Sequence, residues 1–213
     1  THLLIIKTDQ HMATALGCYG NPVVRTPHLD RLASHAARFT NAYCASPICT
    51  PARASLQTGL LPCHHGMTTN IYTRGCMLHE LAEHPTLLPR RLQARGYHTG
   101  FTGKWHLGFG PDPDSQPEWH HHVRATPALA RHRFPGALPS TFGYEGDDFP
   151  GHGGVGTSTP QFLDHLKSRG IEYRKRVLFD AYPHTYEVLS GPQSTVSSFL
   201  TDRAVATIDD FLD

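Results

Sequence analysis

The segment Ala37–Gly59, ARFTNAYCASPICTPARASLQTG, joins two patterns at one cysteine. Its first part, ARFTNAYCAS, reads as a strand. Its second part, TPARASLQTG, carries a helix start and stop: Thr50 as N-cap, Pro51 at the first helical position and Gly59 at the end. The same alternation runs on both sides. LLIIKTD, Leu3 to Asp9, is a short apolar run that suits a buried strand. TPHLDRLASHA has Thr26 as N-cap, Pro27 at the first position, and Leu29, Leu32 and Ala33 on one face. PTLLPRRLQARG predicts a further helix and YHTGFTGK a strand after it. Helix and strand thus alternate through the first hundred residues or so, which predicts an α/β fold with a largely parallel sheet flanked by helices.

The texture changes at residue 109. From there to 160 Pro, Gly, Asp and His dominate and no period holds, as in a long surface excursion that walls a binding site. PQFLDHLKSRG then reads as a helix ending at Gly170, and IEYRKRVLF as a strand. The last segment places Val196, Phe199, Leu200, Ala204, Ile208 and Phe211 at helical spacing, with Ser194 or Thr195 as cap.

Composition bounds the function. The chain has 213 residues, 38% hydrophobic and 17% charged, which is globular and large enough for a sizeable core. A formal charge of +1 gives no bulk attraction to nucleic acid or to an anionic membrane. No run is apolar and long enough to span a bilayer. The five cysteines (Cys18, Cys44, Cys49, Cys63 and Cys76) show no C-x-x-C spacing and no regular disulfide framework, which leans toward the cytoplasm. The His120–His122 run sits among Pro, Asp and Trp and reads as a solvated loop or an adventitious metal site.

Cys49 is the residue that needs an explanation. It stands where a helix begins, with Arg53 one turn on. A buried structural cysteine is one reading. A thiolate nucleophile is another, helped by a helix N-terminus and an arginine, although the spacing is shorter than the phosphatase loop requires. Zinc is a third, with no second cysteine at a suitable interval. In a fourth, the cysteine is the precursor of the working group.

Three motifs favour the fourth. CTPARASLQTG resembles the sulfatase signature, in which C-x-P-x-R directs oxidation of the cysteine to formylglycine. IIKTDQ resembles the family's first strand and metal-binding turn, and GYHTGFTGKWHLG, Gly96 to Gly108, resembles its second signature. The resemblance is to the formylglycine-dependent, arylsulfatase-like sulfatases of the alkaline phosphatase superfamily. It covers residues 3–110 well and continues more loosely to the end. It implies that residues 1–213 are the N-terminal part of a single catalytic domain, with 109–160 as insertion or substrate loop.

The resemblance also implies a chemistry. Cys49, as formylglycine, hydrates to a geminal diol; one hydroxyl attacks sulfur, and collapse of the other expels sulfate. Arg53 holds the diol. Lys104 binds the anion and His106 assists the diol; two residues apart in an extended segment, they share a face. Helix N–H groups at Cys49 suit an anion. Asp9 and Gln10, with modified Cys49, bind calcium or magnesium. The implied substrate is a small-molecule or carbohydrate sulfate ester, and the implied maturation partner a formylglycine-generating enzyme. Many sulfatases have two adjacent aspartates where this chain has Asp-Gln, as do some phosphonate and phosphodiester hydrolases that resemble them. The family's remaining metal ligands come later in its chains, and no Asp-Asn or Asp-His-Gly follows residue 110 here. The fragment alone is therefore expected to be inactive. The alternatives are a phosphonate or phosphate diester hydrolase with the same nucleophile, and a non-catalytic metal-binding or structural fragment.

Overall fold

Local signals for helices hold up better than those for strands. The structure is a computed structural model and describes residues 1–71, 78, 80–108, 136–147, 160–178 and 186–212. It divides into two compact units, Thr1–Ala45 and Ser46–Asp213. Much of the 109–160 stretch, the histidine run and Cys76 lie outside the described residues.

In the first unit, helix α1 spans Pro27–His35 with Thr26 at its N-cap and Pro27 leading, as its sequence predicts. The Thr26 hydroxyl does not cap, however. It accepts from the Gly17 N–H at 2.9 Å and donates to Asp30 at 2.9 Å, and Asp30 also accepts from the Cys18 N–H at 2.7 Å. That knot ties the loop after Leu16 to the first turn of α1. Two expected strands are absent here. Leu3–Asp9 is irregular and its apolar side chains stay in the open, Ile6 at 79%. Ala37–Ser46 is irregular too, with Tyr43 90% exposed. A strand exists only through pairing with a second strand, and among the described residues neither run is paired in a sheet.

The second unit holds the remaining elements: α2 (Cys49–Thr58), α3 (Pro62–His65), α4 (Leu88–Gln93), β1 (Gly100–Phe101), β2 (Glu145–Gly146), α5 (Pro160–Ser168), β3 (Lys175–Val177), β4 (Tyr186–Val188) and α6 (Val196–Leu212). The largely parallel sheet is not seen among the described residues. One parallel pair joins β1 to β2, Gly100 opposite Glu145, and one antiparallel pair joins β3 to β4. Within the 109–160 stretch, residues 136–147 are described and pack against the rest of the unit. Ala137 and Phe142 are buried, and β2 supplies the partner that makes β1 a strand.

Two cores form. The larger gathers Ala54, Met67, Ile71, Leu81, Leu87, Trp105, Leu107, Ala137 and Phe142, with Phe101 and Tyr144 at its edge. Trp105 lies at its centre, edge-on to Phe101 at 5.3 Å and to Phe142 at 5.4 Å between ring centroids. Each such pair adds about 0.5–1.5 kcal/mol beyond area burial. The smaller core packs Phe162 and Leu166 of α5 on Phe199 of α6. The α6 cap is Thr195, whose hydroxyl accepts from the Ser198 N–H at 3.2 Å. Farther along α6 the apolar stripe is only partly covered, with Ile208 and Phe211 exposed.

Candidate active site

Helix α2 starts two residues earlier than its Thr-Pro pair suggests. Ile48 is the N-cap, in extended conformation, and its carbonyl accepts the first helical bond from the Ala52 N–H at 3.0 Å. Cys49 is thus the first helical residue and Pro51 the third. A proline is tolerated there because first-turn N–H groups have no partner inside the helix. Thr50 is not a cap. Its hydroxyl donates to the His106 carbonyl at 2.9 Å, and its N–H donates to Asn70 Oδ1 at 3.0 Å. The helix therefore offers an anion fewer donors than expected: the Thr50 N–H is engaged and Pro51 has none. The dipole remains, equivalent to roughly half a positive charge at this end. Cys49 is half-buried at the start of the turn.

The facing segment is Gly103–Gly108, and its sequence explains its path. Gly103 has φ 104°, a conformation L side chains rarely adopt. Trp105 is driven into the core, where its indole N–H donates to the Ala137 carbonyl at 2.7 Å. A Cβ on Gly108 would stand 2.4 Å from that same carbonyl oxygen, so only glycine lets the two backbones approach. Leu107 returns a carbonyl to the Leu81 N–H at 2.8 Å.

Two bonds lay this segment against α2. Besides the bond from Thr50 to His106, Arg53 Nη1 donates to the Lys104 carbonyl at 2.5 Å. Positions 50 and 53 on the helix match 106 and 104 on the segment, so the two run antiparallel. Arg53 is buried, Lys104 half-buried and His106 fully buried. Both of these bonds are to backbone carbonyls, those of 104 and 106. His106 has φ 58°, so the chain turns there and is not extended through 106 as expected. A non-glycine residue in this region costs on the order of 1–3 kcal/mol and persists only when its surroundings fix it.

The other predicted residues fall in the first unit. Asp9 and Gln10 are exposed at a bend, with Gln10 at φ 51°. Gln10 and His106 are the two non-glycine residues with positive φ among those described. A carboxylate and an amide oxygen are hard donors that suit calcium or magnesium, but these cations take six or more ligands. Among the described residues no group of three or more His, Cys, Asp or Glu gathers to hold a metal. A wide depression of about 890 Å³ in the first unit, lined by Cys18, Arg25, Asp30 and Arg38, includes none of the predicted residues.

Several neighbours of the motifs carry no role in the sequence-based expectations. Ser55 Oγ and His65 Nε2 are 3.1 Å apart and suggest a serine–histidine pair. His65 Nδ1, however, accepts from the Met67 N–H at 3.1 Å. In a neutral ring Nε2 then carries the hydrogen and cannot take one from Ser55. Burial pushes the His65 pKa down, against the opposing pull of backbone carbonyl contacts, which favours that neutral ring. Tyr144 donates to Gln57 at 2.8 Å, and burial pushes its pKa up to about 12. Asn70 gave no signal in the sequence, because its contact with Thr50 depends on the return of the chain after α3.

Comparison with known proteins identifies the family. The family model for Sulfatase matches residues 1–168. The chain belongs to the sulfatase family. Arylsulfatase A of Homo sapiens is 42% identical over 115 residues, covering 52% of this chain and 22% of that protein. The ulvan-active sulfatase of Formosa agariphila is 44% identical over 107 residues, covering 50% and 19%. Human N-acetylgalactosamine-6-sulfatase is 39% identical over 116 residues, covering 52% and 22%. The sulfatase match thus spans about a fifth of the length of these relatives. The crystal structure of yidJ from Bacteroides fragilis is 38% identical over 49% of this chain and 23% of its own, with a TM-score of 0.43, a likeness that adds nothing to the fold assignment. Membership implies an α/β fold, and the described residues are rich in helix with two small sheets. No helix among the described residues is long and apolar enough to cross a membrane.

Proposed function

We propose that this chain carries the nucleophile-bearing part of a sulfuric ester hydrolase. One observation carries the reading. The two signature segments, 49–53 and 104–106, lie some fifty residues apart in sequence and are joined by Thr50 to His106 and by Arg53 to Lys104. The family match crosses the boundary between the two units without a break, which supports one catalytic domain over residues 1–213.

Each residue has a role that its chemistry can supply. Cys49 is half-buried and not sealed in the core, so it can be reached by a modifying enzyme and by substrate. Converted to formylglycine, it would provide a hydrated aldehyde that attacks sulfur and later releases sulfate. Arg53 sets a planar array of donors one turn from it. Lys104 supplies a compact positive charge for the sulfate oxygens. His106, desolvated and held in a fixed backbone conformation, is suited to moving a proton at the nucleophile's oxygen. Asp9 and Gln10 would contribute oxygen donors to calcium or magnesium, which would polarise the sulfate. The substrate is a sulfate monoester, small or carbohydrate, and maturation calls for a formylglycine-generating enzyme.

Asp9-Gln10 favours a second reading, a phosphonate or phosphate diester hydrolase with the same nucleophile. Rates on an aryl sulfate and an aryl phosphonate ester, measured side by side on protein from its native host, separate the two. Faster sulfate turnover that disappears in Cys49→Ala supports the first reading. Faster phosphonate turnover favours the second, and turnover untouched by Cys49→Ala overturns both.

A further inference from the structure

Residue Thr102 stands immediately after β1 and two residues before Lys104, and Asp147 stands immediately after β2. The strands are in register, so Thr102 and Asp147 are the next pair beyond Phe101 and Gly146. The ladder's last backbone bond, from the Asp147 N–H to the Phe101 carbonyl, is 2.9 Å. Past it the side chains take over: the Thr102 hydroxyl donates to Asp147 Oδ2 at 2.6 Å. Arg203 of α6 closes the group from the other side. Its Nε is 3.1 Å from both carboxylate oxygens and its Nη2 2.6 Å from Oδ1. The Asp147 side chain is 8% exposed and that of Arg203 44%, so the carboxylate is covered while the guanidinium keeps one face in water.

We propose that Thr102, Asp147 and Arg203 are positioning residues that fix the start of the anion-binding segment, and so set where Lys104 stands. The inference rests on the reading of Lys104 as a sulfate-binding residue. The reason is mechanical. Gly103, between Thr102 and Lys104, is at φ 104° and has no side chain to hold it. Its far side is held by the Arg53 bond to the Lys104 carbonyl. Its near side is held by Thr102, whose bond to Asp147 ties it to Arg203 of α6, about a hundred residues on, beside the direct packing of Thr207 and Phe211 of α6 against Gly100 of β1. A group of this kind staples α6 to the sheet in any case. Its position, at the carboxyl ends of a parallel pair and against the joint before Lys104, gives it the second task. Recognition that depends on geometry is sensitive to small displacements, so loosening the joint should weaken anion binding while the fold survives.

The test uses the full chain with Cys49 as a thiol, in calcium-containing buffer, with inorganic sulfate as the probe. Protection of Cys49 from iodoacetamide, read on the peptide Phe39–Arg53 with Cys44 as internal control, gives an apparent sulfate affinity. Thr102→Val removes the hydroxyl and keeps the shape; the affinity should fall on the order of tenfold, with little change in Tm. Thr102→Ser restores the hydroxyl and should restore the affinity. Arg203→Lys keeps the charge without the fork and should weaken binding as well, which covers the case that Thr102→Val fails to fold. Lys104→Ala serves as the reference and should abolish protection. If Lys104→Ala abolishes protection while folded Thr102→Val and Arg203→Lys protect like the parent, the positioning role is overturned and the Lys104 reading stands. If Lys104→Ala protects like the parent, the Lys104 reading falls and the inference with it.

Discussion

The chain's two units treat apolar sequence differently. In Thr1–Ala45 the run Leu3–Ile6 and the side chains of Phe39 and Tyr43 remain exposed, and the ordered part is a polar knot around Asp30. In Ser46–Asp213 the apolar residues of GFTGKWHLG collapse onto Ala54, Met67 and Phe142 and order the polar residues between them. The signature of the second unit is thus core and site at once: Trp105 packs inward while the carbonyls on either side of it bind α2. In the first unit Asp9 and Gln10 are exposed at a bend. Predicted site residues are best defined where their neighbours in sequence are buried.

The contrast can be broken by substitution. Trp105→Ala should have the largest effect, about 3–5 kcal/mol, because it removes three edge-on ring contacts, with Phe101, Phe142 and Tyr144, and the indole donor to the Ala137 carbonyl. Chemical denaturation measures it, and a loss below about 1 kcal/mol would deny the core its centre. Asn70→Ala leaves the Thr50 N–H without its acceptor and should cost about 1 kcal/mol, in line with a lost helix cap. A Tm unchanged from the parent would count against that bond. A smaller effect concerns His65. Burial holds its pKa below the ordinary 6.5, so the unfolded chain binds more protons near that pH and stability rises with pH there. The contribution is full above 6.5 and fades as pH falls through that value toward the folded one. His65→Gln should therefore flatten the fall in Tm between about pH 7 and about pH 5.5; an equally steep fall would assign the slope to other groups. At the other extreme, Ile6→Ser in the exposed first run should change stability by less than about 0.5 kcal/mol. A loss of several kcal/mol would mean that Leu3–Ile6 is buried in solution.

How much of this the sequence revealed follows from the range of each interaction. Helices α1, α2, α5 and α6 were legible because their period, prolines and terminal glycines are local signals. The repeated Thr-Pro pair shows the limit. At Thr26–Pro27 it marks the helix start, whereas at Thr50–Pro51 the helix has already begun, because Ile48 is extended and the Thr50 hydroxyl has a partner in His106. YHTGFTGK and IEYRKRVLF do hold strands, β1 and β3, whereas Leu3–Asp9 and Ala37–Ser46 were over-read, since an apolar run does not say whether a partner strand is within reach. The motifs made Cys49, Arg53, Lys104 and His106 visible together. The groups that hold them were not: Asn70, the indole of Trp105 and the Asp147–Arg203 pair all act between residues distant in sequence, and none shows a period or a spacing.

The claim most open to direct test is that Cys49 is a precursor and not a structural thiol. Trypsin releases Phe39–Arg53, which contains both Cys44 and Cys49. Its mass should be read from protein made in the native host after alkylation. The sulfatase reading predicts that Cys44 alkylates while Cys49 has lost its sulfur and carries an aldehyde. Full alkylation of both cysteines in every molecule would contradict it and leave Cys49 as the first residue of a helix.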